Sequence, residues 1–166
     1  MSIVVCFVLW GLIQYTIAWY CVHLPDRKLL SHTRLRTTYR WEDGGKIYDR
    51  LFHISRWKHL LPDGNIKSKK EKFSKKRLSD LSATTLSRFV IESIRAELIH
   101  WLAIPPCVIF GLFLPPIGVL YMFAYAVAVN LPCIIAQRYN RPRVRRLIDH
   151  IAQHQADPTS SANQAG

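Results

Sequence analysis

Three long apolar blocks constrain this chain more than any other feature. Ile3 to Val22 is twenty residues without a charge, with Gln14 as its strongly polar member, enough for about 30 Å of helix, the depth of one bilayer core. Leu98 to Leu114 is seventeen residues, the short limit for a span of about 17–25. Ile117 to Ala136 is a second block of twenty, with Asn130 inside it and Pro132 able to bend it. Pro105-Pro106 must kink or break the middle block because neither residue has a backbone donor, and Pro115-Pro116 makes a tight connector. The expected fold class is an all-α membrane protein. It has an N-terminal transmembrane helix, a basic amphipathic-helical region, and a C-terminal hairpin that is either transmembrane or re-entrant.

A cleaved signal peptide is the competing reading of Ile3 to Val22. No Lys or Arg precedes Ile3, however, and the run exceeds the roughly 7 to 15 residues of a signal core. The domain boundaries expected from composition are 1–22 for the first helix, 23–83 for a basic interfacial region, 84–150 for the hairpin, and 151–166 for a disordered tail.

The chain of 166 residues carries a formal charge of +12. Among such apolar blocks this excess points to anionic lipid rather than to nucleic acid. From His23 to Glu97 basic residues outnumber acidic ones two to one, and a row of arginines, Arg138, Arg141, Arg143, Arg145 and Arg146, opens the tail. Both basic regions fall on one side of a three-span chain, so the polar region and C-terminus are expected to be cytoplasmic, in the cell membrane. Lys67 to Arg77 holds seven basic residues and one acid, a solvated or lipid-touching loop; nucleic-acid binding would want interleaved aromatics, and Phe73 stands alone there. Leu61-Pro62-Asp63-Gly64 reads as a turn. Apolar residues at 47, 51, 54, 57, 60 and 61 form a helical stripe, predicting an amphipathic helix from Gly44 to Leu60 lying on the membrane, with Trp57, Lys58 and His59 near headgroups.

The four cysteines, Cys6, Cys21, Cys107 and Cys133, all lie in or beside apolar blocks with no Cys-x-x-Cys pair and no accompanying His spacing. They read as small buried hydrophobes, supporting neither a disulfide scaffold nor a metal site.

The chemistry-bearing residues gather at two membrane entrances. Thr84 to Trp101 has a helical apolar stripe and brings Glu97 and His100 onto one face, with Arg95, Glu92 and Arg88 behind them. Ionisable groups at a membrane border tend to be paired or functional. The second cluster is Gln137-Arg138-Tyr139-Asn140-Arg141-Pro142-Arg143, where arginine forks suit phosphate or carboxylate. Helical spacing sets Asn130, Gln137 and Arg141 near one line. If the hairpin returns both feet to one side, the two clusters make a composite site in which Glu97 fixes His100 and His100 acts as a base. No Gly-x-Ser-x-Gly elbow, His-x-x-x-x-Asp acyltransferase signature or phosphate loop is present, so direct attack by an acceptor hydroxyl is favoured over a covalent acyl-serine.

The blocks Arg95-Ala96-Glu97-Leu98-Ile99-His100-Trp101 and Gln137 to Arg143 resemble the glycosyl-4,4'-diaponeurosporenoate acyltransferases of staphyloxanthin-type carotenoid biosynthesis. Leu24-Pro25-Asp26, Trp57-Lys58-His59, Asp63-Gly64, Glu92, and Asn130 before Pro132 echo the family more weakly, while the Lys-rich stretch after Gly64 and the tail after Arg146 do not match it. The resemblance implies a membrane acyltransferase that esterifies the glucose 6-position of a glycosyl carotenoid with a fatty acyl group. It implies no cofactor, only an acyl donor as co-substrate, acyl-CoA or acyl-carrier protein. Its partners would be membrane lipids, the glycosylated carotenoid, the donor and other carotenoid-pathway enzymes. His100 and Glu97 would be catalytic. Arg95, Asn130, Gln137, Arg138, Asn140 and Arg141 would bind substrate or donor, with no metal. The rival readings are a non-catalytic membrane scaffold and an acyltransferase acting on another glycolipid.

Overall fold

The structure is a computed structural model and describes residues 3–31, 37–58 and 83–156. The Pro62-Asp63-Gly64 turn, His59, the Lys67 to Arg77 run and the tail from Asp157 lie outside the described residues.

The described residues are helical throughout. Helix α1 is Ile3–Val22, α2 is Asp26–Ser31, α3 is Lys46–Phe52, α4 is Ile54–Trp57, α5 is Ala83–Ala103 and α6 is Pro116–Ala156. Two 3₁₀ segments, Arg40–Gly45 and Pro105–Leu112, join them. Three stretches, Val4–Val22, Thr85–Leu112 and Pro116–Gln153, are long and apolar enough to cross a membrane.

Helix α1 is apolar all round, as a helix facing lipid on most sides must be. Its inward stripe is Cys6, Trp10 and Cys21, while Val4, Phe7, Val8, Leu12 and Tyr15 are exposed. The Gln14 amide donates to the Ala103 carbonyl at 2.9 Å, and Arg95 reaches the other end of α1, which fixes α1 antiparallel to α5. Pro105-Pro106 stops α5 and the chain continues as a tight 3₁₀ run. Cys107 and Phe110 from that run close a dry cluster with Cys6, Trp10, Met122 and Ala126.

Helix α6 is 41 residues long, about 61 Å at 1.5 Å per residue. It therefore continues well beyond any bilayer core and runs through positions 151–156, where a disordered tail was expected. Pro132 and Pro142 lie inside it, and each deprives the carbonyl four residues earlier, at Ala128 and Arg138, of its helical donor. The outer part of α6 is held by its own core, in which Val144 and Ile148 pack with Leu29, Val90 and Ile94.

The helix expected from Gly44 to Leu60 is broken. Asp43, Gly44 and Gly45 all have positive φ, and His53 takes φ 48° between α3 and α4. Gly45 is required by close approach as well as by its φ of 88°: a Cβ there would sit 3.0 Å from the Tyr139 carbonyl oxygen. The two short helices fold over α6, so Tyr48, Ile54, Ile135, Ala136 and Tyr139 form one core with Ile47 and Trp57 at its edge. The apolar stripe read as lipid-facing is largely spent on the protein itself, although Leu51 and Phe52 remain exposed.

Candidate active site

The hairpin does bring the two polar clusters together. Glu97 is fully buried because α5 and α6 enclose it, and both of its oxygens are occupied. Arg138 Nε donates to Oε1 at 2.6 Å and Arg141 Nη2 to Oε2 at 2.7 Å. Trp101 Nε1 adds a bond to Oε1 at 3.2 Å. Arg141, itself buried, also bonds the Ser93 hydroxyl at 3.3 Å and the Ser93 carbonyl at 3.0 Å.

Arg138 extends the network to a residue the sequence reading missed. Its Nη1 donates to Glu42 Oε1 at 2.6 Å; the same oxygen receives the Tyr48 hydroxyl at 2.6 Å, and Oε2 receives the Tyr39 amide at 2.8 Å. Glu42 is buried, carried there by the strained turn at residues 43–45. Two carboxylates and two guanidiniums thus alternate and their charges cancel. Burial first, and then the adjoining Glu42 carboxylate, push the Tyr48 phenol up, so it stays a hydrogen-bond donor. The signal available in the sequence was Trp41-Glu42-Asp43-Gly44-Gly45, an acid at a glycine turn, which marks a place where backbone can approach another element closely.

His100 belongs to a different arrangement from the one its spacing suggested. Glu97, one turn earlier, is engaged by the arginines, and the partner of His100 is Asn130: Nδ1 lies 2.9 Å from Asn130 Oδ1. Asn130 is oriented in turn, since its Nδ2 donates to the Ala126 carbonyl at 2.8 Å. An amide oxygen can only accept, so the Nδ1 atom must carry the proton, and the neutral ring keeps its free lone pair on Nε2. Asn130 therefore sets the tautomer, the task the spacing had given to Glu97.

Three other expected site residues lie elsewhere. Arg95 closes the end of α1: its Nη1 donates to the carbonyls of Cys21 at 3.1 Å, Val22 at 2.6 Å and Leu24 at 3.1 Å, and its Nη2 to Asp26 at 2.7 Å. The first two are acceptors at a helix C-terminus, where a cation is favoured, so Arg95 ties α5 to the end of α1. Asn140 accepts from Lys58 at 3.4 Å on the exposed side of α6, beside Tyr139, whose ring carries the Arg143 guanidinium at 3.5 Å. Gln137 is half-buried and lies outside the network.

Beside the network is a cleft of about 440 Å³ walled by Tyr39, Trp41, Tyr48, Trp101, Ile134 and Arg138 among others. It adjoins a smaller one of about 170 Å³ that reaches Val127, Ala128 and Pro132. Of the four charged members of the network, Arg138 faces this space.

A helical membrane chain with a tautomer-fixed histidine, no nucleophilic serine elbow and an apolar cleft can move an acyl group between lipid-borne partners. The family model for glycosyl-4,4'-diaponeurosporenoate acyltransferase matches residues 28–150. The chain belongs to this family. The Staphylococcus aureus glycosyl-4,4'-diaponeurosporenoate acyltransferases of strains MRSA252 and N315 are each 32% identical to it over 143 residues, covering 86% of either chain. No solved structure matches. Membership makes the chain a carotenoid-pathway acyltransferase and removes the scaffold reading.

Proposed function

We propose that this acyltransferase esterifies the glucose 6-position of a glycosyl carotenoid with a fatty acyl group from a thioester donor, acyl-CoA or acyl-carrier protein. The likeness in sequence to the Staphylococcus aureus enzymes supports the acceptor and the product class. The observation that carries the mechanism is the chain of bonds from Ala126 through Asn130 to His100, because in the neutral ring it puts the lone pair on Nε2. His100 Nε2 takes the proton of the sugar hydroxyl as its oxygen forms the new bond to the acyl carbonyl carbon. The tetrahedral intermediate collapses, the carbon–sulfur bond breaks, and the proton on His100 passes to the departing thiolate. Arg138, at the cleft wall, supplies positive charge to the oxyanion. Glu97, Glu42 and Arg141 act by holding Arg138 in place.

In this reading the polar network and the basic outer part of α6 face the cytoplasm, where thioester donors are made. Both the 23–97 region and the start of the tail are rich in Lys and Arg, in keeping with that orientation.

The test is expression with the glycosylated precursor, followed by pigment extraction and mass spectrometry. Wild-type cells gain the fatty-acyl mass; His100→Gln cells with normal amounts of membrane protein do not. Asn130→Ala lowers product by about fivefold, the worth of roughly 1 kcal/mol for one neutral hydrogen bond, and Asn130→Asp, which still accepts from Nδ1, restores it. Ester formation at the wild-type level in the His100→Gln protein overturns the assignment.

A further inference from the structure

The two adjoining clefts form one continuous track along α6. Leu131, Ile135 and Phe52 line both. On α6 the wall runs from Ile134 and Arg138 through Leu131 and Ile135 to Ala128 and Pro132, an arc of about half the helix circumference at 3.6 residues per turn. From Val127 to Arg138 is eleven residues, about 16 Å of helix rise. That is half of the roughly 30 Å hydrocarbon core, the depth reached by one acyl chain of one leaflet. The walls are apolar over this length, and the charged end is Arg138, tied to the buried carboxylates.

We propose that this track holds the fatty acyl chain of the donor, with its carbonyl end beneath Arg138 and Trp101 and its terminal methyl at Val127 and Ala128, so that the track measures chain length. The proposal rests on the acyl-transfer reading above. A rigid carotenoid skeleton fits less well, because the track bends around α6 from the Ile134 side to the Pro132 side, a path open to a flexible alkyl chain. Trp101 ties the track to the polar network: it lines the larger cleft and bonds Glu97 through its indole nitrogen.

Ala128 is exposed at the deep end, so a larger side chain there enters the track without displacing buried neighbours. The experiment expresses wild type, Ala128→Phe and Val127→Phe with the glycosylated precursor in cells fed a mixture of short and long fatty acids. The acyl-length distribution of the ester is then read by mass spectrometry. Filling the deep end is expected to move the distribution toward shorter chains, lowering the long-to-short product ratio by about 10-fold or more, the discrimination an apolar pocket achieves per methylene. Leu131→Ala, which widens the middle, is expected to admit longer or branched chains. Unchanged distributions in membrane-inserted Ala128→Phe and Val127→Phe would mean that the track is filled by bilayer lipid and would overturn the proposal. His100→Gln separates the two readings: its loss of every chain length tests the chemistry, whereas the track variants alter which esters appear.

Discussion

Glu97 and His100 stand one turn apart on the same helix, and their surroundings are opposites. Glu97 is fully enclosed and receives donors from Arg138, Arg141 and Trp101; both oxygens are spent. His100 is half-buried and its tautomer is fixed through Nδ1 by a neutral amide. A carboxylate whose two oxygens already accept three donors is committed to holding those donors in place. An imidazole bonded through one nitrogen retains the other for chemistry. The lesson is that charge near a membrane border has two uses, to lock helices together and to move protons, and burial with full pairing identifies the first.

The sharpest way to break this contrast is to remove the locking carboxylate. Glu97→Ala leaves two buried guanidiniums without their shared partner, and breaking such a pair costs about 3–5 kcal/mol. Detergent-solubilised Glu97→Ala should therefore melt far below wild type, while His100→Gln should melt close to it and fail only in turnover. Equal melting losses in the two variants would erase the distinction. A smaller effect is expected one residue further out. Tyr48→Phe deletes the hydroxyl that donates to Glu42, a bond to a charged group worth about 1.5–3 kcal/mol. Its signature is faster limited proteolysis within residues 37–58, with α5 and α6 still protected.

The smallest effect concerns acid. The Ser55 backbone amide, 3.0 Å from Asp49 Oδ1, holds the Asp49 carboxyl below its usual range. A depressed folded-state pKa contributes stability above the ordinary carboxylate range and loses it as pH falls through the folded value. Protection against hydrogen exchange in the Ile54–Trp57 helix, taken relative to the intrinsic amide rate at each pH, should thus fall on acidification in wild type, and Asp49→Asn should abolish that fall. Persisting acid sensitivity in the variant would assign it to another group.

Much of this was readable before any coordinates. Apolar runs of bilayer length gave the three helices, paired prolines marked the 3₁₀ break, and the hairpin reading brought the cluster of Glu97 together with that of Arg138 and Arg141, though with Glu97 assigned to His100 rather than to the arginines. The failures share a cause. Glu42 pairs with Arg138 across 96 positions, and no periodicity within one helix reports such a contact. Asn130 was set on a line with Gln137 and Arg141 because intervals of seven and four place them so, yet a hydrogen bond to α5 depends on the rotation of α6 against it. The apolar stripe was a true apolar face whose cover was misjudged over its described part: the positive φ at His53 folds Ile47, Ile54 and Trp57 onto Ile135 and Tyr139.

The grip of Arg95 on the last carbonyls of α1 bears on how the chain matures. Proteolytic trimming after Val22 would carry away the Cys21 and Val22 acceptors and leave an almost wholly enclosed cation leaning on Asp26, Glu92 and Leu24. The first helix is thereby stitched to α5 through a single side chain, and a cut there would loosen the bundle at the point where the two are joined.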